Sequence, residues 1–331
     1  MRYLRFVESS GLVRGAVSVA DEHAQVLRDD FDFIEALQTA LYSKQSFEEL
    51  ALAAASEERV DVNALIAGGR VRSPVPLSGS VGTCLVTGTG LTHVRSAEIR
   101  DSMNADENES SDTMKMYQMG KEAGRPPRDG IGVQPEWFFK GTGQCLVPSG
   151  ADIEAPGYSL SAGEEVELAG VYYISDDLVP VRVGFVLVND FSDHALESKN
   201  YLYLATSKLR ECAIGPELLI GDAPEDVAGR TLVRRNGKVI WEREFRTGEA
   251  NMTHSIANLE HHHFKHTTLL TPGDIHIHLL GCPVFSYGDG HSLADGDEIE
   301  ISAPKFGAPL RNTVRFQPKS EVAISVRRLK V

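Results

Sequence analysis

Glu165 and Glu167 stand two positions apart in the segment EEVELAGVYYI. On a strand both carboxylates would project from one face, with Val166 and Leu168 on the other. Two like charges side by side repel, and next to an apolar run they need water or a cation to neutralise them. The spacing by itself more often marks a solvated strand face, the commoner use of a Glu-x-Glu pair. A further carboxylate gives context. The apolar run in RVGFVLVNDFSDH ends at Asn189-Asp190, where an acidic side chain serves either as a turn or helix cap or as a ligand, since burying it unpaired is costly. Glu165, Glu167 and Asp190 together would supply hard oxygen ligands to Mg²⁺ or Mn²⁺. Coordination positions would remain for water and for a chelating pair of oxygens, such as the carboxylate and keto oxygens of a 2-keto acid.

Other reactive side chains are less distinctive. Lys208 sits in ATSKLRE, where an exposed lysine is the ordinary reading. His261, His262 and His263 are consecutive, with His254 and His266 nearby; on a helix adjacent side chains diverge, so surface or packing roles are expected. His276 and His278 alternate on one face of a predicted strand, which leaves both a structural role and a place near the site open. The glycines of GTGLTH at Gly88 lack the rest of a dinucleotide fingerprint, and no nicotinamide site is expected.

The elements that must hold these residues follow from pattern. With 331 residues, 42% of them hydrophobic and 24% charged, the chain can bury a substantial core. Residues 1 to 20 read as a hairpin, with Leu4 and Phe6, then Val17 and Val19, at alternate positions. Two helices are predicted next, over Asp21 to Tyr42 and from Ser46, whose side chain and Glu49 form a capping box. Residues 101 to 129 are too polar for core, although Met114, Met116 and Tyr117 could dock part of this connecting, lid-like excursion. Beyond Gly130, β-branched runs alternate with turn signals at Asn236-Gly237 and Thr271-Pro272-Gly273-Asp274, predicting a largely β portion. The division expected is an N-terminal domain at 1–128 and a catalytic domain at 129–331.

A net charge of −14 argues against nucleic acid and anionic membranes as partners, because binding there needs clustered Lys and Arg. A cation beside a few basic side chains would let so acidic a chain take an acidic metabolite. Cys84, Cys145, Cys212 and Cys282 are scattered, as expected of reduced thiols in a cytoplasm. No run approaches the roughly 20 apolar residues of a membrane span, and the N-terminus lacks a signal-peptide core.

The order EVEL, VNDFSDH, SKLRECAIGPELLIG, NGKV and LLTPGDIH, over about Pro135 to Ile301, resembles the fumarylacetoacetate hydrolase superfamily. PEWFFKGTG at Pro135 to Gly143 is most similar to its 2-keto-3-deoxy sugar acid dehydratase branch. The resemblance implies an α+β fold with a mixed β-roll catalytic domain and a smaller N-terminal α/β domain, a homodimer, and Mg²⁺ or Mn²⁺ as cofactor. Carried over, Glu165, Glu167 and Asp190 match the metal ligands, and Lys208 matches the active-site lysine. Glu136 matches a carboxylate near the substrate. Lys140, Thr142, Ser96 and Arg100 fall where substrate contacts are expected. The chain departs from the family where its usual Arg is replaced by Asp193-His194 and its usual Gly-Thr reads Leu280-Gly281.

The reaction so implied is dehydration of a 2-keto-3-deoxypentonate to 2-oxoglutarate semialdehyde in non-phosphorylative sugar catabolism, with Glu136 moving a proton and Lys208 holding developing charge. Alternatives are a hydrolase cleaving a C–C bond of an acylpyruvate or 2,4-diketo acid, an oxaloacetate decarboxylase, and a catalytically silent metabolite-binding protein. The hydrolase needs a base for water, and His93 is the position to inspect for it.

Overall fold

The computed structural model describes residues 1–18, 23–77, 84–94, 97–98, 111–127, 130–319 and 323–329. Two sheets and short helices among them form the expected α+β architecture. The larger sheet has 13 strands. Its main path runs Ala55–Asp61, His23–Leu27, Val13–Ser18, Arg2–Val7, Glu217–Ile220, Pro180–Asn189, Val166–Ile174, Ile275–Leu279, Cys84–Gly88 and Phe138–Thr142. A five-stranded sheet is ordered Lys238–Thr247, Val227–Arg235, Glu298–Ser302, Leu310–Phe316 and Asp152–Ala155.

The core explains why Val166–Ile174 and the second half of Pro180–Asn189 are near-continuous apolar runs: every residue of the first is buried, and so are the last seven of the second. One face of this pair, carrying Ala169, Val171, Tyr173, Val186 and Val188, packs with Phe33, Leu37 and Phe47 of two helices. The opposite face, carrying Val166, Leu168, Phe185 and Leu187, packs on Val233, Ile299, Ile301 and Val314 of the smaller sheet. Each such valine, leucine, isoleucine or phenylalanine removed from water stabilises the fold by about 1.5–3 kcal/mol.

The N-terminal hairpin forms as read, Arg2–Val7 pairing with Val13–Ser18. Of the helix expected over Asp21 to Tyr42, Asp21 and residue 22 lie outside the described residues, and the described part is helical only towards its end. His23–Leu27 is a strand, with Ala16 opposite Val26, and the helix is confined to Phe33–Tyr42 behind an Asp32 cap. Ala24, Val26 and Leu27 are fully buried, so tertiary pairing overrides local helical preference in this segment. The Ser46–Glu49 capping box is present. Asn236 and Gly237, both at positive φ, form the two-residue turn of a hairpin. Within the polar excursion, Asp112–Ala123 is a helix whose Tyr117 is buried with Leu91 and Ala97, while Met114 and Met116 pack against them. Residues 101–110, 128 and 129 lie outside the described residues. Main-chain pairing crosses the 128/129 division, since Arg2 stands opposite Leu219 and Cys84–Gly88 lies beside Ile275–Leu279.

Candidate metal centre and active site

Glu165 immediately precedes the central strand and Glu167 is its second residue. The neighbouring strand runs antiparallel with Glu167 opposite Val188, and the Asp190 N–H donates to the Glu165 carbonyl at 2.9 Å. Side chains on paired strands alternate together. Glu165, Glu167 and Asp190 therefore share the face of Ala169 and Val188, at the end where the apolar layer stops. The Asn189 side chain fixes this end by accepting from the Glu165 N–H at 3.1 Å. Each of the three acidic side chains is 1% exposed or less, and one oxygen from each lies within 4.8 Å of the others.

Two lysines are buried against these carboxylates. Lys208 Nζ is 2.6 Å from Glu165 Oε1 and 2.8 Å from Asp190 Oδ2, and donates to Ser192 Oγ at 2.9 Å. Lys140 Nζ is 2.8 Å from Asp190 Oδ1 and donates to the Phe191 carbonyl at 2.6 Å. The Phe138 ring, two residues before Lys140 on its strand, has its centroid 5.1 Å from the Lys208 ammonium, a cation–π contact that also keeps water from it. Neither lysine makes a salt bridge to Glu167. Its Oε2 accepts from the Gly281 N–H at 2.7 Å. Burial first, and then the charges of Asp190 and Glu165, push the Glu167 carboxyl well above the usual range. Gly281 can serve as donor because it adopts φ +102°, and a Cβ there would lie 1.9 Å from Thr92 Oγ1.

Three carboxylates buried this close against two ammonium groups, neither of them in a salt bridge with Glu167, resist ionising together without a further cation, and such hard oxygen donors fit a divalent ion. Glu165, His194 and Glu197 also come within 4.8 Å of one another. In this second group the His194 imidazole already meets Glu165 Oε1 at 2.9 Å through Nε2, so two of its three members satisfy each other without an ion. The set with Glu167 is the better seat for an ion.

Glu136 accepts a hydrogen bond from the Tyr201 hydroxyl. Tyr201 begins the short turn Tyr201–Tyr203, which runs through Leu204–Ser207 into Lys208. The proposed acid/base carboxylate is thereby tied to the segment that carries the lysine. Thr142 ends its strand opposite Leu85, half-buried, and among the described residues no hydrogen bond or ion pair joins it to the carboxylates. Ser96 and Arg100 lie outside the described residues. Pattern reading singled out neither Tyr201 nor Glu197. The signal for Glu197 was its place in SDHALE, three residues after His194.

The other histidines are accounted for elsewhere. His278 stands opposite Gly170, and His276 opposite Tyr172, which places both on the sheet face away from Glu167. There they meet helix Ile256–Phe264: His263 stacks on His278 with centroids 4.4 Å apart, and its Nε2 is 2.9 Å from His276 Nδ1. Trp137 Nε1–H donates to His263 Nδ1 at 3.3 Å. An indole can only donate, so His263 is held neutral, with its proton on Nε2. His93 lies between Thr92 and Thr247 hydroxyls, at 2.9 Å from Nδ1 and 3.2 Å from Nε2.

Burial depresses these rings: His93 and His278 to about 3, His254 and His276 to about 4, and His263 further still. Each binds its proton more weakly folded than unfolded, where the value is about 6.5. Stability is therefore complete above pH 6.5 and falls as the pH drops towards 4, by up to about 1.4 kcal/mol per histidine for each pH unit. Thermal melts of the metal-free protein should show a Tm that declines steeply below pH 6, and replacing His276 with Gln should flatten that decline.

A family model described as fumarylacetoacetate (FAA) hydrolase C-terminal matches residues 115–315. The chain is 30% identical over 189 residues to a probable 2-keto-3-deoxyxylonate dehydratase of Haloferax volcanii, a match covering 55% of this chain and 60% of that protein. It is 31% identical over 122 residues to a 2-dehydro-3-deoxy-D-arabinonate dehydratase of Saccharolobus solfataricus, covering 35% of this chain and 40% of the other. The match thus spans less than two thirds of the length of either curated relative. Among solved structures, a 2-keto-3-deoxy-D-arabinonate dehydratase in its apo form superposes with a TM-score of 0.70 at 23% identity, over 96% of this chain and 100% of that one. The same enzyme complexed with magnesium and 2,5-dioxopentanoate gives a TM-score of 0.69, at 23% identity and the same coverage. With the family model matching more than half of its residues, this chain belongs to the fumarylacetoacetate hydrolase family.

Proposed function

We propose that the protein is a Mg²⁺-dependent hydro-lyase that dehydrates a 2-keto-3-deoxypentonate to 2-oxoglutarate semialdehyde, with Mn²⁺ as the alternative ion. The observation that carries the reading is the convergence of Glu165, Glu167 and Asp190 on one buried sheet face, within 4.8 Å of one another. Lys208 lies among them, and Glu136 hangs from the same segment through Tyr201. Supporting it, both curated relatives bear pentonate dehydratase names, and a structural neighbour holds magnesium and 2,5-dioxopentanoate.

When bound, the cation stabilises negative charge at the carboxylate and C2 keto oxygens of the 2-keto acid. The C3 proton leaves to a general base, the C4 hydroxyl departs as water after taking a proton, and transfer of a proton from C5 to C3 leaves an enol that tautomerises to the C5 aldehyde. Glu136 is assigned the proton transfers and Lys208 the charge developing on the keto acid. Phe138 lies against the Lys208 ammonium, its ring centroid 5.1 Å away. The histidine considered for a C–C hydrolase, His93, has a hydroxyl at each ring nitrogen, and this favours elimination over activation of water.

The reading extends to a homodimer in the cytoplasm and to a functional division at 128/129. Among the described residues no helix is long and apolar enough to cross a membrane, and all four cysteines are free. The test is turnover of purified protein with Mg²⁺ and 2-keto-3-deoxypentonates or acylpyruvates, following semialdehyde and pyruvate separately. Semialdehyde from the pentonates is expected. Pyruvate from acylpyruvates would install the hydrolase, and no turnover of either would leave the silent binding protein.

A further inference from the structure

We infer that His194 is a positioning residue that fixes Glu165 for cation binding, in the place where the family's usual arginine is absent. The inference rests on the metal-dependent reading above but not on which keto acid is turned over. His194 is fully buried, and its Nε2 lies 2.9 Å from Glu165 Oε1. An ionised carboxylate can only accept, so the imidazole donates from Nε2. Lys208 donates to the same oxygen at 2.6 Å, and with both donors on Oε1 the carboxylate is held against rotation about its last bond.

The ring is held as firmly as the group it holds. It stacks on Phe285 with centroids 4.8 Å apart and planes 20° apart, and on Tyr287 at 5.1 Å and 29°. The Gly163 backbone borders the slot, where an added Cβ would come within 2.2 Å of His194 Nδ1, so only glycine leaves room for the ring. The loop bearing both aromatic residues is anchored one residue from the ligands: Ser286 donates to Glu164 from its N–H and its hydroxyl, each at 2.7 Å. Below the ring, the helix His194–Glu197 is capped by Asp193, which also pairs with Arg210 at 3.1 Å. A hydrogen-bond donor fixed on a ligating carboxylate typically changes metal affinity ten- to a hundredfold.

The experiment is calorimetric titration of the chelator-stripped full chain with MgCl₂ alone, beside thermal melts without metal. His194→Phe keeps the stacking ring and removes the donor; His194→Gln keeps a donor and removes the ring. The expected result is a Mg²⁺ Kd weakened about ten- to a hundredfold in His194→Phe and largely restored in His194→Gln, whatever the metal-free Tm of each. Wild-type affinity in His194→Phe, or equal weakening in both variants, overturns the inference. If His194→Phe does not fold, Tyr287→Leu, which removes one wall of the slot, is read the same way: weakened Mg²⁺ binding upholds the inference and unchanged binding overturns it. A wild-type chain with no affinity for Mg²⁺ sinks this inference and the proposed function together, whereas the variant outcomes bear on His194 alone.

Discussion

Glu167→Gln is expected to lower turnover by on the order of 10³-fold, corresponding to several kcal/mol of lost electrostatic stabilisation, while leaving the metal-free protein as stable as the wild type or more so. Both halves follow from one position. Glu167 is the carboxylate of the set that neither lysine meets at salt-bridge distance, in a place where burial disfavours its charge. The substitution removes that charge and keeps an amide oxygen to accept from the Gly281 N–H, which now meets Glu167 Oε2 at 2.7 Å. Neutral glutamine is a poor ligand for a hard cation, so the loss falls on metal binding and on the chemistry that depends on it. Kinetics with titrated Mg²⁺, set beside metal-free thermal melts, check the prediction. Full activity in this variant, or a fold lost with the charge, would remove Glu167 from the centre.

Lys208→Met should show the opposite pattern in stability. The ammonium contacts Glu165 and Asp190 at 2.6 and 2.8 Å, with Glu197 at 4.0 Å, and nothing of it is exposed. A methionine of similar length leaves those carboxylates buried without their principal counter-charge, and breaking a buried pair in this way costs about 3–5 kcal/mol. The metal-free Tm should therefore fall sharply. Saturating Mg²⁺ should recover part of the loss, because an ion bound only by the folded state adds about 2.7 kcal/mol at a hundred times its Kd. Turnover should stay low even then, by about 10²–10⁴-fold if Lys208 works on the substrate as proposed. Melts with and without Mg²⁺ separate the two roles, and a variant as stable as wild type would show that Lys208 is not the counter-charge the geometry makes it.

The difference between these residues also marks how far the chain could be read before its fold was known. Glu165, Glu167 and Asp190 were legible as candidates because part of their logic is local, a period of two putting the glutamates on one face and an apolar run stopping at Asp190, while the family resemblance is what joined the three as ligands. The Ser46–Glu49 box and the Asn236-Gly237 turn were legible for the same reason, each being a short-range hydrogen-bond or dihedral requirement. His23–Leu27 was not, because five residues carry too little period to separate strand from helix, and only pairing with Val13–Ser18 and Ala55–Asp61 decides it. Nor was the placement of His276 and His278, since the face they occupy depends on the register of Ile275–Leu279 against two strands far away in sequence. Lys140 shows the limit in another way. Resemblance set it among substrate contacts, and its salt bridge to Asp190 is a further pairing that depends on where an edge strand comes to rest. His194 was visible as a departure from the family pattern, but its partner Glu165 and its aromatic slot required coordinates.

The most direct test of the centre is crystallographic: crystals of the full chain grown with Mn²⁺, measured for anomalous scattering at the manganese edge. A single strong peak per chain is expected, with oxygens of Glu165, Glu167 and Asp190 all at roughly 2.1 Å, the distance of a small octahedral dication. A peak seated elsewhere, or none beside Glu167 at saturating Mn²⁺, would contradict it.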